Sequence, residues 1–550
     1  MDTKALRQKI LDLAIRGKLV PQDPNDEPAE VLLERIREQK QQMFKEGKLK
    51  KKDIKNDTII FKGEDNLHYE KFQDGTVKCI EDEIPFEVPE GWAWCKLNDI
   101  YNFIDYRGAT PTKITNGIPL VTAKNVKSGY IDYTIDDYIS EEEFKERQQR
   151  GISKKGDILF TTEAPLGNAA LADMEKFSAG QRLITFQQYG SKNELINYVM
   201  LMFILSDFFQ QQLYVNKTGS TVAGIKAAIL KTLWIPVPPY NEQLRISNTL
   251  KSAINLIDSI SKNKEILSTS ISNTKSKILD LAIRGKIVPQ DPNDEPASVL
   301  LERIRAEKEE LIKQGKIKRD KKESVIFKGD DNSYYEKIDG EVSCIDEEIP
   351  YNIPDTWTWV RLENCCVKEI RRGKSPKYAE ISNVIVFAQK CNTKYNGIDI
   401  SLAQYLDETT IKRYPTDEHM QDGDIVINST GTGTLGRVGI YRNTDNTTGL
   451  LIVPDSHVTV IRSFSCISSY YLYAFMKAHQ TELEKKGEGS TNQKELKPLT
   501  LKEMLIAVPP ISEQKRINKS INVAFSHLAI IEKCLNRDSS QYALLLKKLF

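Results

Sequence analysis

The sequence predicts an α+β protein in which two mixed α/β domains are each followed by a long helix. Three observations predict this fold: an internal repeat with a period near 268 residues, mixed strand and helix patterns inside each copy, and a long apolar stripe at helical spacing after each copy. At 550 residues the chain is too long for a single core, so we expect roughly three to five folded units.

The repeat is strongest outside the two domains. Residues 10–18 return as residues 278–286, and residues 20–29 return without change as residues 288–297. Arg16-Gly17 and Arg284-Gly285 are typical of a helix C-terminus, with a cation in the last turn and a glycine after it. Residues 29–46 then predict a second amphipathic helix, which is repeated from residue 297.

The long helix is predicted over residues 242–282, where apolar residues alternate in steps of four and three. The same stripe returns 271 residues later, each time after a Pro-Pro and a Glu-Gln. The predicted seam residues are Ile246, Leu250, Ile257, Ile260, Leu267 and Ile271 in the first helix, and Ile517, Ile521, Leu528, Ile531 and Leu535 in the second. A stripe about 60 Å long needs a partner, so we expect the two helices to form a rod with a body at either end.

The repeat divides the chain into seven segments. We predict a helical region at 1–50, a basic linker at 51–83, a first domain at 84–240, a central helical region at 241–315, a second basic linker at 316–348, a second domain at 349–510 and a final helix at 511–550. The lysines of the two linkers suggest either a solvated helix end or contact with phosphates.

Each domain begins with a related stretch that ends in Trp92-Ala-Trp94 or Trp357-Thr-Trp359, which favours a core position for the indoles. We predict strands at 118–121, 157–161, 183–187, 384–387, 424–427 and 457–461, and helices at 140–149, 194–211 and 467–485. The two interiors share this layout, but their loops differ. Two domains that share a layout but differ in their loops are expected to present two different binding surfaces.

The sequence shows only weak signals for catalysis. Gly431 to Gly436 spell a dinucleotide-loop pattern, but the following residues predict a strand instead of the required helix. Val237-Pro-Pro-Tyr240 resembles the Asn/Asp-Pro-Pro-Tyr loop of amino-group methyltransferases, yet Val237 cannot accept a hydrogen bond from a target amine. The five histidines and eight cysteines form no ligand spacing, so we predict no catalytic residue, no metal site and a reduced, cytoplasmic protein without a membrane span.

Three loops recur in both domains and carry the residue types that contact DNA bases and phosphates. The net charge of +1 means that any nucleic-acid contact must come from such local patches. The candidate DNA-binding residues are Arg107, Thr110, Lys113, Lys124, Asn125, Lys127, Lys217, Ser220, Thr221 and Lys226 in the first domain, and Arg372, Lys374, Ser375, Lys377, Lys390, Asn392, Lys394, Ser490, Thr491, Gln493 and Lys494 in the second.

These features together resemble the specificity subunit of type I restriction-modification systems. The resemblance covers nearly the whole chain and rests on the Ile-Pro…Trp-x-Trp start of each domain, its Pro-Pro-x-x-Glu-Gln-x-x-Ile end and the near-identical helical regions that follow. It implies two target-recognition domains separated by a long antiparallel two-helix coiled coil with pseudo-two-fold symmetry. Each domain would recognise one half of a split double-stranded DNA target, with the helices fixing the gap.

The resemblance also implies partners and cofactors. Two methyltransferase subunits and the restriction subunits, which translocate DNA, would join the complex. S-adenosylmethionine, ATP and Mg²⁺ are expected in those partners, and no cofactor is expected in this chain. The chain begins with a copy of the residues that follow the central helix. We therefore expect the N-terminal stretch to complete the C-terminal helix in space; a truncated C-terminus is the alternative.

Two other functional classes remain open from the sequence. A self-contained methyltransferase or nuclease would bind S-adenosylmethionine or cleave DNA without partners. A scaffold whose two heads bind proteins would show no salt-sensitive DNA affinity.

Overall fold

The computed structural model describes residues 2–55, 57–106, 110–148, 151–189, 194–219, 222–319, 323–394, 397–431, 433–489 and 494–536. The chain divides into two compact units, of which one runs to Glu265 and the other from Ile266 to Asn536. We call residues 84–240 head 1 and residues 349–510 head 2. The predicted continuation of the last helix over 537–550 lies outside the described residues.

The first unit contains the beginning of the long helix and all elements before it. Its helices are α1 (Thr3–Ile15), α2 (Ala29–Lys45), α3 (Lys51–Ile54), α4 (Leu97–Ile100), α5 (Glu141–Arg147), α6 (Asn197–Ile204), α7 (Asp207–Val215), α8 (Ala227–Leu230) and α9 (Tyr240–Ile283), which continues into the second unit. Its strands are β1 (Ile59–Lys62), β2 (His68–Lys71), β3 (Val77–Cys79), β4 (Ala93–Lys96), β5 (Tyr101–Asp105), β6 (Ile118–Val121), β7 (Tyr138–Ile139), β8 (Ile158–Thr161), β9 (Ala169–Leu171), β10 (Ser178–Ala179), β11 (Leu183–Gln188) and β12 (Trp234–Val237).

The second unit repeats this order with a different interior. Its further helices are α10 (Ala297–Lys313), α11 (Ser469–Ala478), α12 (Gln480–Lys485), α13 (Pro498–Lys502) and α14 (Ile511–Asn536). Its strands are β13 (Ser324–Lys328), β14 (Tyr334–Ile338), β15 (Glu341–Cys344), β16 (Thr358–Arg361), β17 (Tyr378–Ala379), β18 (Val384–Phe387), β19 (Gln404–Leu406), β20 (Ile425–Asn428), β21 (Val438–Ile440), β22 (Leu451–Pro454), β23 (Val458–Ile461) and β24 (Leu505–Val508).

Each head is closed by antiparallel pairing of its first and last strands. In head 1, β12 pairs with β4, and in head 2, β24 pairs with β16. Head 1 contains a four-stranded sheet in the order β5-β11-β8-β9 and a three-stranded sheet in the order β10-β6-β7. Head 2 divides its strands differently, into β17-β19-β18-β22 and β21-β20-β23. The heads are therefore mixed α/β domains with related but unequal sheets.

The long helix begins where the sequence predicts. Pro238 and Pro239 end β12, and α9 starts at Tyr240 and runs for 44 residues. The first three of its seam residues, Ile246, Leu250 and Ile257, are buried in the core of the first unit, as Ile517 and Ile521 are in the core of the second.

The seam is not buried along its whole length. Ile271 is buried, and Ile260, Leu528 and Leu535 are half-buried. Leu267 is 40% exposed and Ile531 is 41% exposed, so the prediction that these two lie in a packed seam is wrong for the described chain. The buried stretch of each helix start packs into the core that contains its own head, and this burial ends near Ile257 and Ile521.

In each unit, the long helix after the head lies antiparallel to the helix that begins the unit. The two helices are α9 and α1 in the first unit, and α14 and the end of α9 in the second. Arg7 of α1 forms an ion pair with Asp258 of α9, whereas Gln22, further along the chain, contacts Glu242 at the start of α9. In the second unit, Lys275 in the last part of α9 forms an ion pair with Glu532 of α14 at 2.8 Å.

The segments predicted to be basic linkers fold into sheets. β1, β2 and β3 form an antiparallel three-stranded sheet, and β13, β14 and β15 form its counterpart. The signals that predict these hairpins are Asp74-Gly75 and Asp339-Gly340, since Asp-Gly favours the left-handed backbone of tight turns. Gly75 has a φ of +88° and Gly340 a φ of +95°.

Two predicted helices are each divided in two. The prediction over 194–211 corresponds to α6 and α7, and Ser206 begins α7 by accepting a hydrogen bond from the Phe209 N–H. The prediction over 467–485 corresponds to α11 and α12, which meet at His479. In both places the chain changes direction between two packed helices, which apolar periodicity alone does not indicate.

Candidate functional site

The loops of head 2 that were predicted to bind DNA come together at one edge of its sheets. The loop after β18 contacts the loop after β20 through Asn392 and Arg437, whose guanidinium donates to the Asn392 carbonyl at 2.8 Å. The backbone N–H of Leu496 donates to the carbonyl of Ser429 at 2.9 Å, which joins the segment just before α13 to the same place. We call the surface formed by these loops, around Asn392, Ser429, Arg437 and Leu496, the loop edge of head 2.

Head 1 has an equivalent loop edge. Gln181 donates to the Thr110 hydroxyl at 2.5 Å, and Asn168 donates to the Val126 carbonyl at 3.0 Å. A cavity of about 460 Å³ opens here. Its lining residues are Thr162, Glu163, Gln181, Arg182, Thr218, Gly219, Val222, Gly224, Ile225 and Lys226.

The two loop edges share a backbone frame but differ in side chains. In head 1, the Thr162 N–H donates to the carbonyl of Arg182, and in head 2, the Ser429 N–H donates to the carbonyl of His457. Arg182 and His457 therefore occupy the same position. Arg182 pairs with Glu163 at 3.0 Å, whereas the imidazole of His457 contacts the hydroxyl of Thr430 at 2.7 Å.

Arg182, Gln181 and His457 were not among the residues predicted from the sequence. All three lie just before a buried strand, β11 in head 1 and β23 in head 2, and Arg182 and His457 are exposed there. A residue-by-residue alignment of the two heads through the strands β11 and β23 would indicate them, because the frame is constant there and the side chains change.

Asn125 and Asn392 do not fit their predicted role as contacts to bases. Asn125 is 3% exposed, and its side chain accepts from the N–H of Thr122 at 3.0 Å and donates to the carbonyls of Asp132 and Ile135 at 3.0 and 2.9 Å. Asn392 is 1% exposed and donates to the side chain of Asn428 and the carbonyl of Arg437, both at 3.1 Å. These amides hold the loops in shape and have no free edge for a base.

Several predicted cations of the loops are engaged with protein groups. Lys113 pairs with Asp137 at 2.7 Å and Lys377 with Asp407 at 2.8 Å. The remaining engaged residues are Lys127, which donates to the Lys124 carbonyl, Lys374, which donates to the Arg413 carbonyl, and Arg372, which pairs with Glu495. The hydrogen bond from Lys377 lowers the pKa of Asp407 to about 2.

Other predicted cations are exposed and have no ion pair with any carboxylate in the described ranges. They are Lys124, Lys217, Lys226, Lys390 and Lys494. The ammonium of Lys217 lies 3.6 Å from the centre of the Tyr214 ring. Thr110, Ser375 and Lys394 are exposed as well. Exposed lysines at a loop edge can neutralise phosphates without sequence preference.

Six predicted residues lie outside the described residues. They are Arg107, Ser220, Thr221, Ser490, Thr491 and Gln493. Their predicted contacts with DNA stay predictions.

The described residues contain no group of three or more His, Cys, Asp and Glu side chains that could hold a metal ion. All eight cysteines are free thiols. In the described part of the chain, no helix is both long and apolar enough to cross a membrane.

Comparison with known proteins identifies the family of this chain. The model of the type I restriction modification DNA specificity domain matches twice, over residues 89–268 and residues 354–537. The chain belongs to this family. The two matches begin just before β4 and β16 and continue into the helices after each head, so they follow the internal repeat.

Curated relatives of this chain are themselves specificity subunits of type I restriction enzymes. The chain is 27% identical to the type I restriction enzyme EcoEI specificity subunit of Escherichia coli, over 95% of this chain and 89% of that protein. It is 30% identical to the Escherichia coli EcoAI specificity subunit over 65% of this chain and 62% of that protein. This chain is accordingly a DNA-recognition subunit of a type I system and its non-catalytic component.

A solved structure shows the same fold. A chain from a study titled "Structural basis underlying complex assembly and conformational transition of the type I R-M system" aligns with a TM-score of 0.54 at 17% identity, covering 84% of this chain and 97% of that chain. The interpretations as a self-contained methyltransferase or nuclease, or as a scaffold that binds only proteins, are not favoured.

Proposed function

We propose that head 1 and head 2 of this specificity subunit each recognise one half of a bipartite DNA target. The observation that carries the proposal is the pair of loop edges with one backbone frame and different side chains, such as Arg182 against His457 and Glu163 against Thr430. Two surfaces that place unlike donors and acceptors at the same position are suited to two different base sequences.

The helices α9 and α14 are proposed to set the gap between the half-sites. At 1.5 Å per residue, the 44 residues of α9 span about 66 Å. In support, the end of α9 pairs with α14 through Lys275 and Glu532, and each helix start is buried against its own head. An antiparallel coiled coil of these helices with pseudo-two-fold symmetry would present the heads to two half-sites.

The proposed partners are double-stranded DNA, two methyltransferase subunits and the restriction subunits. S-adenosylmethionine would belong to the methyltransferase subunits, and ATP and Mg²⁺ to the restriction subunits. This chain would contribute recognition alone, in the cytoplasm.

An exchange of heads tests the proposal. Residues 84–240 are replaced by the first head of another family member, and methylated adenines are mapped across the genome in cells with the partner methyltransferase. We expect one half of the motif to change and the other half and the gap to stay. Replacement of residues 349–510 is the matched control and should change only the other half; changes in both halves from either exchange would contradict the proposal.

An insertion tests the spacer. Four residues inserted after Lys262 lengthen α9 by about 6 Å, or roughly two base pairs along DNA. We expect an altered gap in the methylated motif or loss of complex assembly. A normal complex with an unchanged gap would show that the helix does not set the distance.

A further inference from the structure

A carboxylate and a guanidinium lie side by side in the cavity at the loop edge of head 1. The Nε of Arg182 is 3.0 Å from Oε1 of Glu163, and both residues line the cavity of about 460 Å³. The Arg182 side chain is 55% exposed and the Glu163 side chain is 43% exposed, so a ligand can reach both. An arginine carries five N–H groups, so a contact through Nε leaves the terminal amino groups for that ligand.

The backbone holds the two side chains in this position. The carbonyl of Arg182 accepts hydrogen bonds from the N–H and the hydroxyl of the buried Thr162, at 2.9 and 3.2 Å. Glu163, the next residue after Thr162, forms a β-bridge with Gly224. Arg182 has a φ of +64°, a left-handed backbone that few residues other than glycine adopt. Because an exposed ion pair contributes little to stability, this placement points to a ligand.

The carboxylate disfavours a phosphate as the ligand of Arg182. A phosphate beside the guanidinium would also lie close to the negative charge of Glu163, and like charges repel at such distances. Lys226 lines the same cavity and is exposed, so it is better placed to neutralise a phosphate. A ligand that offers acceptors and a donor next to each other, without a net charge, suits the pair of Arg182 and Glu163.

The edge of a G·C base pair offers these groups in the matching order. In the major groove, guanine presents the acceptors N7 and O6, and cytosine presents the N4 donor beside O6. O6 and N4 are hydrogen-bonded to each other, so they are about 2.9–3.0 Å apart, as the donor and the acceptor of the protein pair are. An A·T pair would place the adenine N6 donor against the guanidinium and the thymine O4 acceptor against the carboxylate, and both contacts repel.

Head 2 has different residues at these two positions. His457 and Thr430 lie there, and the imidazole contacts the hydroxyl at 2.7 Å. The arginine and the glutamate that pair at the loop edge of head 2 come from other parts of the chain, since Arg372 pairs with Glu495 at 2.8 Å. The arrangement that matches a G·C pair at this position therefore belongs to head 1.

We propose that Arg182 and Glu163 together recognise one G·C base pair of the first half-site. Arg182 donates to N7 and O6 of guanine, and Glu163 accepts from N4 of cytosine. The guanidinium selects the base on one strand, and the carboxylate selects its partner on the other strand. This inference rests on the proposed function and names the base pair that head 1 requires at this position.

Base analogues test each contact without altering the protein. The complex of this chain with its methyltransferase subunits is titrated by fluorescence anisotropy with duplexes that carry its methylated motif. 7-Deazaguanine removes the N7 acceptor, and N4-methylcytosine replaces the N4 hydrogen that points into the major groove by a methyl group. At one G·C pair of the first half-site, we expect each analogue to weaken binding roughly tenfold. Inosine in place of that guanine is the matched control, because it lacks only the minor-groove amino group, and it should bind as guanine does.

Substitutions assign each analogue effect to its residue. In Arg182→Ala, 7-deazaguanine should cause no further loss of affinity, and in Glu163→Ala, N4-methylcytosine should cause none. Glu175→Ala is the control, since it removes the carboxylate of another exposed ion pair of head 1, with Lys155 at 2.7 Å, and should leave both analogue effects unchanged. Each effect is a ratio of two affinities of the same variant, so a general loss of folding or affinity does not imitate it.

Two results would overturn the proposal. One is a first half-site in which no G·C pair is sensitive to both analogues, and the other is an analogue effect that persists after its residue is substituted. Failure of the proposed function would look different, as a methylated motif that is not split or as an exchange of residues 84–240 that changes both halves.

Discussion

The buried carboxylate of Glu242 accepts a hydrogen bond from the indole N–H of Trp92 at 2.9 Å. Glu242 is 1% exposed and also accepts from Gln22 at 2.8 Å. The second unit repeats this contact between Glu513 and Trp357 at 2.9 Å. The first turn of each long helix is thus bonded to the first strand of its head, so the head cannot rotate on the helix without breaking a buried hydrogen bond.

Removing this carboxylate should destabilise the first unit. Glu242→Ala leaves the Trp92 N–H buried without an acceptor, and we expect a loss of roughly 1–3 kcal/mol in the free energy of unfolding. Glu242→Gln is the control, since its amide oxygen can still accept from the Trp92 N–H. Urea unfolding measures the free energy of unfolding of both variants. Equal losses in the two would show that the missing hydrogen bond to Trp92 does not account for the loss.

Arg182 should determine one position of the first half-site. A guanidinium at a loop edge can contact guanine with two hydrogen bonds, worth about 1–3 kcal/mol of discrimination. Arg182→Ala should therefore relax one base of the first half-motif in the methylated sequence. His457→Ala, at the equivalent position, should affect the second half-motif alone. An unchanged motif in both variants would remove these residues from recognition.

Asn125 should affect stability and not sequence preference. Asn125→Ala deletes hydrogen bonds that hold the loop after β6, and we expect a loss of about 1–3 kcal/mol. Because the amide is 3% exposed, the methylated motif should stay the same. A shifted motif without a loss of thermal stability would return Asn125 to the group of base contacts.

The exposed lysines of head 1 should contribute to DNA affinity through phosphates. We expect the plot of log affinity against log salt to become less steep by about one for each single substitution, Lys124→Ala, Lys217→Ala or Lys226→Ala, measured in the assembled complex. The methylated motif should stay unchanged. Lys155→Ala is the control, since Lys155 pairs with Glu175 at 2.7 Å before β8, away from the loop edge. A slope lowered equally by the control would contradict the assignment.

Asp157 should make head 1 less stable as the pH rises from about 4 to about 6. Burial raises the pKa of Asp157 from 3.8 to about 6, so the folded state holds a proton that the unfolded state has released. The free energy of unfolding therefore falls by on the order of 2–3 kcal/mol between pH 4 and pH 6. Asp157→Asn should remove this dependence in unfolding experiments.

Asp424 provides the matched comparison in head 2. It occupies the same position before its strand but pairs with Arg462 at 2.7 Å. Asp424→Asn should destabilise head 2 because it breaks a buried ion pair with Arg462. If Asp157→Asn instead destabilises head 1 throughout, Asp157 acts through its hydrogen bonds to Lys154 and Gln187.

The local elements were predicted well because their patterns are local. Residues 242–282 predicted the helix that runs from Tyr240 to Ile283, and residues 118–121 match β6. Burial was harder to predict. The spacing of four and three residues includes Leu267, but only contacts from distant parts of the chain decide whether that side chain is covered.

The sequence by itself determined the duplication, the long helices, the two heads and the family to which they belong, since identity between copies and apolar periodicity are properties of neighbouring residues. Only the tertiary structure decided which polar residues are free to contact DNA. Asn125 and Lys124 are adjacent and both belong to residue types that bind DNA, yet one is enclosed by backbone groups and the other is exposed. The difference depends on how loops far apart in the chain pack, because a hydrogen bond that is satisfied inside the protein is no longer available outside it.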